Sequence, residues 1–255
     1  MRVRVLGCHG GETPRHRPTC LLIDGTVAID AGSLCRGLPV EEQLAVEHVL
    51  VGHAHLDHIK DLALLAEQVC VEERRTPVDI HCGPATAEAL DQHFFNDVLW
   101  PDFRVLPTKT RPAVRLRPHK ANRKFNVGGY EVLFVPVAHP VESMGMLVQR
   151  DDHALVFSSD TGPTDKLWKT ANRTEAVRAV FVELSFPNSL QELADTAGHL
   201  TPYTLAKELR KLQRADVDVF LYHLKPTCAA EAWREVRALR DERVHLLSVG
   251  DLIEI

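Results

Sequence analysis

Hydrophobic residues fall at two different periods along this chain, and the changes of period mark its elements. "RVRVLG" (2–7) alternates apolar and polar positions and predicts a strand. "TCLLID" and "TVAIDAG" predict two more strands, joined at Asp24-Gly25, a pair suited to a tight hairpin turn. "PVEEQLAVE" predicts a short helix starting near Pro39. "HVLVG" is a short buried strand. In "DHIKDLALLAEQVCVEE", Ile59, Leu62, Leu65 and Val69 recur at helical spacing from about Asp57 onward. "PVDIHCG" then predicts a strand and "TAEALDQHFFNDVLW" a helix. Residues 103–138 read mostly as strand, with turns at Pro112, Pro118 and Gly128-Gly129. "GMLVQRDDHALVFSSD" reads as a hairpin turning at Asp151-Asp152, and a helix follows near 164–171. The strand "AVFVEL", the helix "TPYTLAKELRKLQ", the strand "DVFLYHL", the helix "AAEAWREVRALR" and two last strands complete the order. Hairpins and helices alternate in both halves, which predicts two packed sheets with helices outside.

Composition narrows this picture. With 255 residues, 45% of them hydrophobic, the chain can bury one sizeable core, and no linker interrupts the pattern, so a single domain over 1–255 is expected. The net charge of -5 argues against a general nucleic-acid binder, which presents a basic face. A small anionic substrate remains compatible with it, because a bound metal supplies positive charge. The six cysteines form no C-x-x-C pair and are expected to be reduced. The N-terminal "MRVRVLG" lacks a signal-peptide core, and no apolar run is long enough to span a bilayer. A cytoplasmic location without membrane contact is the expectation.

Fourteen histidines in the chain raise the question of where they gather. "HAHLDH" places His53, His55, Asp57 and His58 within six positions. Continued as a strand, "HVLVG" would project His53 and His55 to one side. The helical periodicity from Asp57 predicts a bend that returns His58 toward them. The spacing suits two neighbouring metal ions, His53 and His55 serving one and Asp57 and His58 the other. A catalytic metal takes about three protein ligands and keeps an open position, so further donors are needed. His139, Asp160 and His223 each follow an apolar run, where strand-end loops carry chemistry.

These residues resemble the H-x-H-x-D-H signature of the metallo-β-lactamase fold superfamily, with "AHP", "SSDTG" and "YHLKP" following in that superfamily's order. "HAHLDHI" with "SSDTGP", "GHLTP" and "HLKP" resembles more narrowly the class II 3′,5′-cyclic nucleotide phosphodiesterases, as does "GPATAEALDQHFFNDVLWPDF". The resemblance runs from "VLGCHGG" to "YHLKP". It implies an α/β fold, a four-layer αββα sandwich with two metals at one sheet edge. By motif, His53, His55 and His139 would hold one ion and Asp57, His58 and His223 the other, with Asp160 bridging. The implied activity is hydrolysis of a small phosphodiester, a 3′,5′-cyclic nucleotide, to the 5′-monophosphate by a metal-bridging hydroxide. A homodimer is implied by the resemblance alone. Donors of nitrogen and oxygen without thiolate fit zinc, the default, as well as manganese or iron.

The leaving oxygen needs a proton, and "GHLTP" offers His199 outside the metal set. By resemblance His199 is the general acid, Glu183 of "FVELSF" orients it, and Asp57 also steers the attacking oxygen. Rival readings are an RNA-processing endonuclease of the same fold, a hydrolase of carbon esters, thioesters or lactams, and a metal-binding regulatory subunit. Two weaker features stand apart. "RPAVRLRPHKANRK" gathers seven basic or imidazole groups, read as a solvated hairpin before a phosphate-steering patch. Phe94, Phe95, Trp100 and Phe103 are read first as core.

Overall fold

The strand-like stretches assemble into two seven-stranded mixed sheets in a computed structural model that describes residues 1–255. One sheet runs, in spatial order, Leu252–Glu254, Arg2–Gly7, Cys20–Ile23, Val27–Ile29, His48–Leu50, Val78–Cys82 and Val114–Pro118. The other runs Val244–Leu246, Asp218–Tyr222, Val177–Glu183, His153–Phe157, Met144–Arg150, Tyr130–Pro136 and Lys124–Val127. The expected Asp24-Gly25 and Asp151-Asp152 hairpins form, with Asp24, Gly25 and Asp151 all at positive φ. Four strands of each sheet, ending in Val114–Pro118 and Val244–Leu246 respectively, pair in parallel through helical crossovers.

Burial follows the period-two pattern. Inward residues such as Val5, Leu21, Leu50, Phe134, Met146 and Phe181 fill the space between the sheets. Val49, Ile80 and Val114 face Leu62, Leu65 and Val69 of the helix Asp61–Val71 on one outer side. Val156, Val180 and Leu221 face Trp168, Leu205 and Val236 of helices on the other. The result is the four-layer αββα sandwich. Each fully buried Leu or Phe contributes roughly 1.5–3 kcal/mol, so three contiguous clusters make the strand ends a rigid platform.

Several expectations need correction. The strand His48–Leu50 stops before the histidine cluster, so His53 and His55 lie on a loop and not on an extended strand. The helix expected through Trp100 runs Pro84–Ala89, widens to a π-turn over Leu90–Phe94 and ends. Asn96 ends it locally, its side-chain oxygen accepting from the backbone of Val98 and Leu99. That break lets Phe95 and Phe103 enter the core, with Phe94 and Trp100 packed against it. A helix not expected at all, Gln191–Ala197, follows a 3₁₀ turn at Asn188–Leu190. It buries only Ala194, too little apolar periodicity to signal itself.

Candidate metal centre

Strands that run in the same direction end at the same edge, and this edge collects the chain's chemistry. Asp30 follows Val27–Ile29, and His53 lies just beyond His48–Leu50. His139 lies beyond Tyr130–Pro136, Asp160 beyond His153–Phe157, and His223 directly follows Asp218–Tyr222. Asp30, Ser159 and His223 carry φ of 56°, 55° and 73°, left-handed conformations that only a demanding local geometry holds in non-glycine residues. His55 caps the helix Leu56–Ile59, whose first turn returns Asp57 and His58 to the cluster.

The seven residues expected as metal ligands all meet here. Asp160 Oδ2 lies 3.7 Å from His53 Nε2, 3.2 Å from His58 Nε2 and 3.3 Å from His223 Nε2. His223 Nε2 is also 3.3 Å from Asp57 Oδ2, and His139 Nε2 is 3.3 Å from His55 Nδ1. Among the seven, two subsets are compact enough to share one ion each: His53, His55, His139 and Asp160, and Asp57, His58 and His223; Asp160 and His223 form a third compact group with His199.

Outer partners decide what these rings present. His58 Nδ1 donates to Asp30 Oδ2 at 2.7 Å, and Asp30 Oδ1 accepts from Gly52 N at 2.9 Å. His139 Nδ1 donates to the Gly198 carbonyl at 3.0 Å, and His223 Nδ1 lies 3.0 Å from the Ser185 hydroxyl. A ring whose proton is held at Nδ1 presents a bare lone pair at Nε2. His58 Nε2 and His223 Nε2 face each other at 3.2 Å, and both lie within 3.3 Å of Asp160 Oδ2, so three donor atoms converge on one point. Moreover, His53 Nε2 and Asp160 Oδ1 are buried with no hydrogen-bond partner, costing about 1–3 kcal/mol each if left so. The donor set therefore fits divalent metal ions.

Charge coupling is strong. Burial pushes the His53 pKa well below its ordinary value, and positive charge on His58 adds to this. Burial opposes charge on His58, but Asp160 and Asp30 outweigh it and raise its pKa. Asp160, fully buried, would be raised by desolvation; the imidazoles of His223 and His58 instead hold it well below the carboxylate range.

Beside this cluster stands a second pair. His199 Nδ1 lies 3.1 Å from Glu183 Oε1, and its Nε2 has no protein partner. Glu183 is completely buried, so it is not the solvated strand-end residue its position alone allows. It accepts from Leu200 N at 3.0 Å and from Ser185 Oγ at 2.9 Å. Burial disfavours the His199 cation, but Glu183 outweighs burial and raises its pKa. The His199 ring centroid is 5.3 Å from that of His139 and 5.4 Å from that of His223, so it borders the metal cluster.

Sequence reasoning missed Asp30 and Ser185. Asp30 follows the apolar run within "TVAIDAG", a strand-end acid like Asp160, and that position was its one signal. Ser185 carried none; it touches Glu183, His199 and His223 at 2.9, 3.1 and 3.0 Å.

The chain is similar to several known proteins. A probable 3′,5′-cyclic-nucleotide phosphodiesterase of Yersinia pestis is 24% identical over 208 residues, covering 72% of this chain and 58% of that protein. The 3′,5′-cyclic-nucleotide phosphodiesterase 1 of Saccharomyces cerevisiae is 27% identical over 238 residues, covering 79% and 63%. Ribonuclease Z of Halorubrum lacusprofundi is 25% identical over 158 residues, covering 60% and 48%. The matched regions thus span roughly half to three fifths of these relatives' lengths. Unliganded yeast PDE1 superposes with a TM-score of 0.83 at 18% identity over 98% of both chains, a likeness of fold. A family model described as "Beta-lactamase superfamily domain" matches residues 21–245, and with that match the chain belongs to the metallo-β-lactamase superfamily of hydrolases.

Proposed function

We propose that the protein is a dinuclear metal-dependent phosphodiesterase acting on a small phosphodiester, a 3′,5′-cyclic nucleotide such as cyclic AMP, to give the 5′-monophosphate. The observation that carries this reading is the His199–Glu183 pair at 3.1 Å, an imidazole beyond the seven expected ligands and backed by a buried carboxylate. Hydrolysis of a phosphodiester expels an alkoxide that needs a proton, and such a pair delivers one.

In this reading His53, His55 and His139 would hold one ion and Asp57, His58 and His223 the other, with Asp160 available to both sets. When bound, the ions acidify a water and neutralise charge on the phosphate oxygens. Asp57, partly exposed, orients the attacking water. The water gives up one proton to solvent, which later restores His199, and its oxygen bonds to phosphorus as the bond to the 3′ oxygen breaks. His199 Nε2 gives its proton to the departing oxygen while Glu183 holds Nδ1 and fixes the ring. A pocket of about 260 Å³ opens beside His55, lined by Ala54, Ala85, Thr86, Ala89, Val141 and Glu142. It offers a mostly apolar wall for the nucleoside part of the substrate.

Zinc is the proposed metal, with manganese or iron suited to the same donors. The net charge of -5 disfavours a polynucleotide substrate, despite the ribonuclease Z relative. The test offers the purified, metal-assayed protein cyclic AMP, cyclic GMP, a bis-aryl phosphate, a tRNA precursor and a lactam. Turnover of the cyclic nucleotides is expected; turnover of only the tRNA precursor or only the lactam overturns the reading. His199→Ala should keep its metal and lose about 10²-fold or more in rate, the scale of a lost general acid. An unchanged rate removes His199 from the mechanism.

A further inference from the structure

A second cluster of imidazoles lies away from the strand-end centre, on the inner face of the first sheet near its Val114–Pro118 edge. His48 pairs with Asp79 across the parallel ladder of His48–Leu50 and Val78–Cys82, and Leu50 pairs with His81. Side chains alternate along a strand, so His48, Asp79 and His81 share one face. Their ligand atoms all lie within 4.8 Å of one another. His81 Nε2 is 3.2 Å from His48 Nδ1, and His81 is nearly fully buried.

The outer partners are those a ligand set needs. His81 Nδ1 lies 2.9 Å from His119 Nε2. His119 is itself stacked on Phe125, ring centroids 3.6 Å apart and planes within 7°. If His81 donates its Nδ1 proton to His119, its Nε2 is free to ligate on the side of His48. Arg115 holds both oxygens of Asp79, its Nε 2.7 Å from Oδ1 and its Nη2 3.2 Å from Oδ2, and Arg117 Nε reaches Oδ1 at 3.2 Å.

We propose that His48, Asp79 and His81 form an additional site for a first-row divalent transition ion. Two imidazoles and a carboxylate supply three donors with a fourth position open to water, a set suited to zinc or cobalt. The ion would clamp two adjacent strands of the first sheet, one of which leads into His53. The guanidiniums of Arg115 and Arg117 oppose it. Their side chains are 45% and 44% exposed, so they can turn to solvent and release Asp79. The site is therefore expected to bind more weakly than the strand-end centre.

The test is equilibrium dialysis of the chelator-stripped full chain against cobalt(II), with elemental analysis. Wild type should take up one equivalent more than His81→Gln or His48→Asn, or bind that equivalent at least about 10²-fold more tightly. Arg115→Ala should tighten it. Circular dichroism checks that each variant folds. Should His81→Gln fail to fold, the half-buried His48→Asn and Asp79→Asn decide. Equal stoichiometry and affinity in wild type and the folded variants overturns the proposal and leaves three hydrogen-bonded imidazoles.

Discussion

Asp160 sits among three imidazoles at the strand ends. Its Oδ2 lies within 3.7 Å of three imidazole nitrogens, and its Oδ1 has no partner. Such a site depends on the groups that aim its donors. Asp30 is the clearest case: fully buried, it holds His58 Nδ1 at 2.7 Å and so determines which nitrogen His58 turns inward. Asp30→Ala should weaken metal affinity about 10- to 100-fold, measured by competition with a chromogenic chelator, since outer partners of ligating histidines carry effects of that size. An unaltered affinity would show that His58 is aimed by packing alone. The ligand-type residues were legible because H-x-H-x-D-H is a dense, improbable string. Ser185 was not legible, because a serine two residues beyond a strand-end glutamate looks like any turn residue. Its role arises only when the Val177–Glu183 and Asp218–Tyr222 strands lie side by side.

At the scale of elements, strand ends place the chemistry and close loop contacts hold it. Gly52, in the loop between His48–Leu50 and His53, packs against the Asp160 loop; a Cβ there would meet Ser159 Oγ at 2.1 Å. Gly52→Ala should therefore destabilise the protein by about 1–3 kcal/mol, the cost of overpacking a tight contact, and lower its metal content. Urea unfolding checks the first effect, and an unchanged midpoint would show that the two loops can separate freely. Elements with strong periodicity, such as Asp61–Val71 and Tyr130–Pro136, were readable from the chain. The helix Gln191–Ala197 was not, because it buries little and ends at Gly198, whose φ of 70° serves a turn under His139. The expected strand geometry of His53 and His55 failed for a related reason. Apolar "HVLVG" signals burial, and burial alone does not say where a ladder stops.

Across the whole molecule, the two halves of the chain contribute complementary parts of one site. His53, His55, Asp57 and His58 come from the first sheet's side, while His139, Asp160 and His223 come from the second's. The interior between the sheets holds the halves in register, and imidazole and carboxylate donors from both halves converge across the gap. The sandwich architecture was legible from alternating hairpins and helices. The joining of Leu252–Glu254 to the N-terminal sheet was not, since strand pairing between the two chain ends leaves no local signal. The most direct test of the account is a crystal of the purified protein measured at a metal absorption edge. The account predicts two anomalous peaks beside Asp160, one within reach of His53, His55 and His139 and one within reach of Asp57, His58 and His223. No peak there, with the seven side chains ordered and crystals grown in zinc and in manganese, would contradict it.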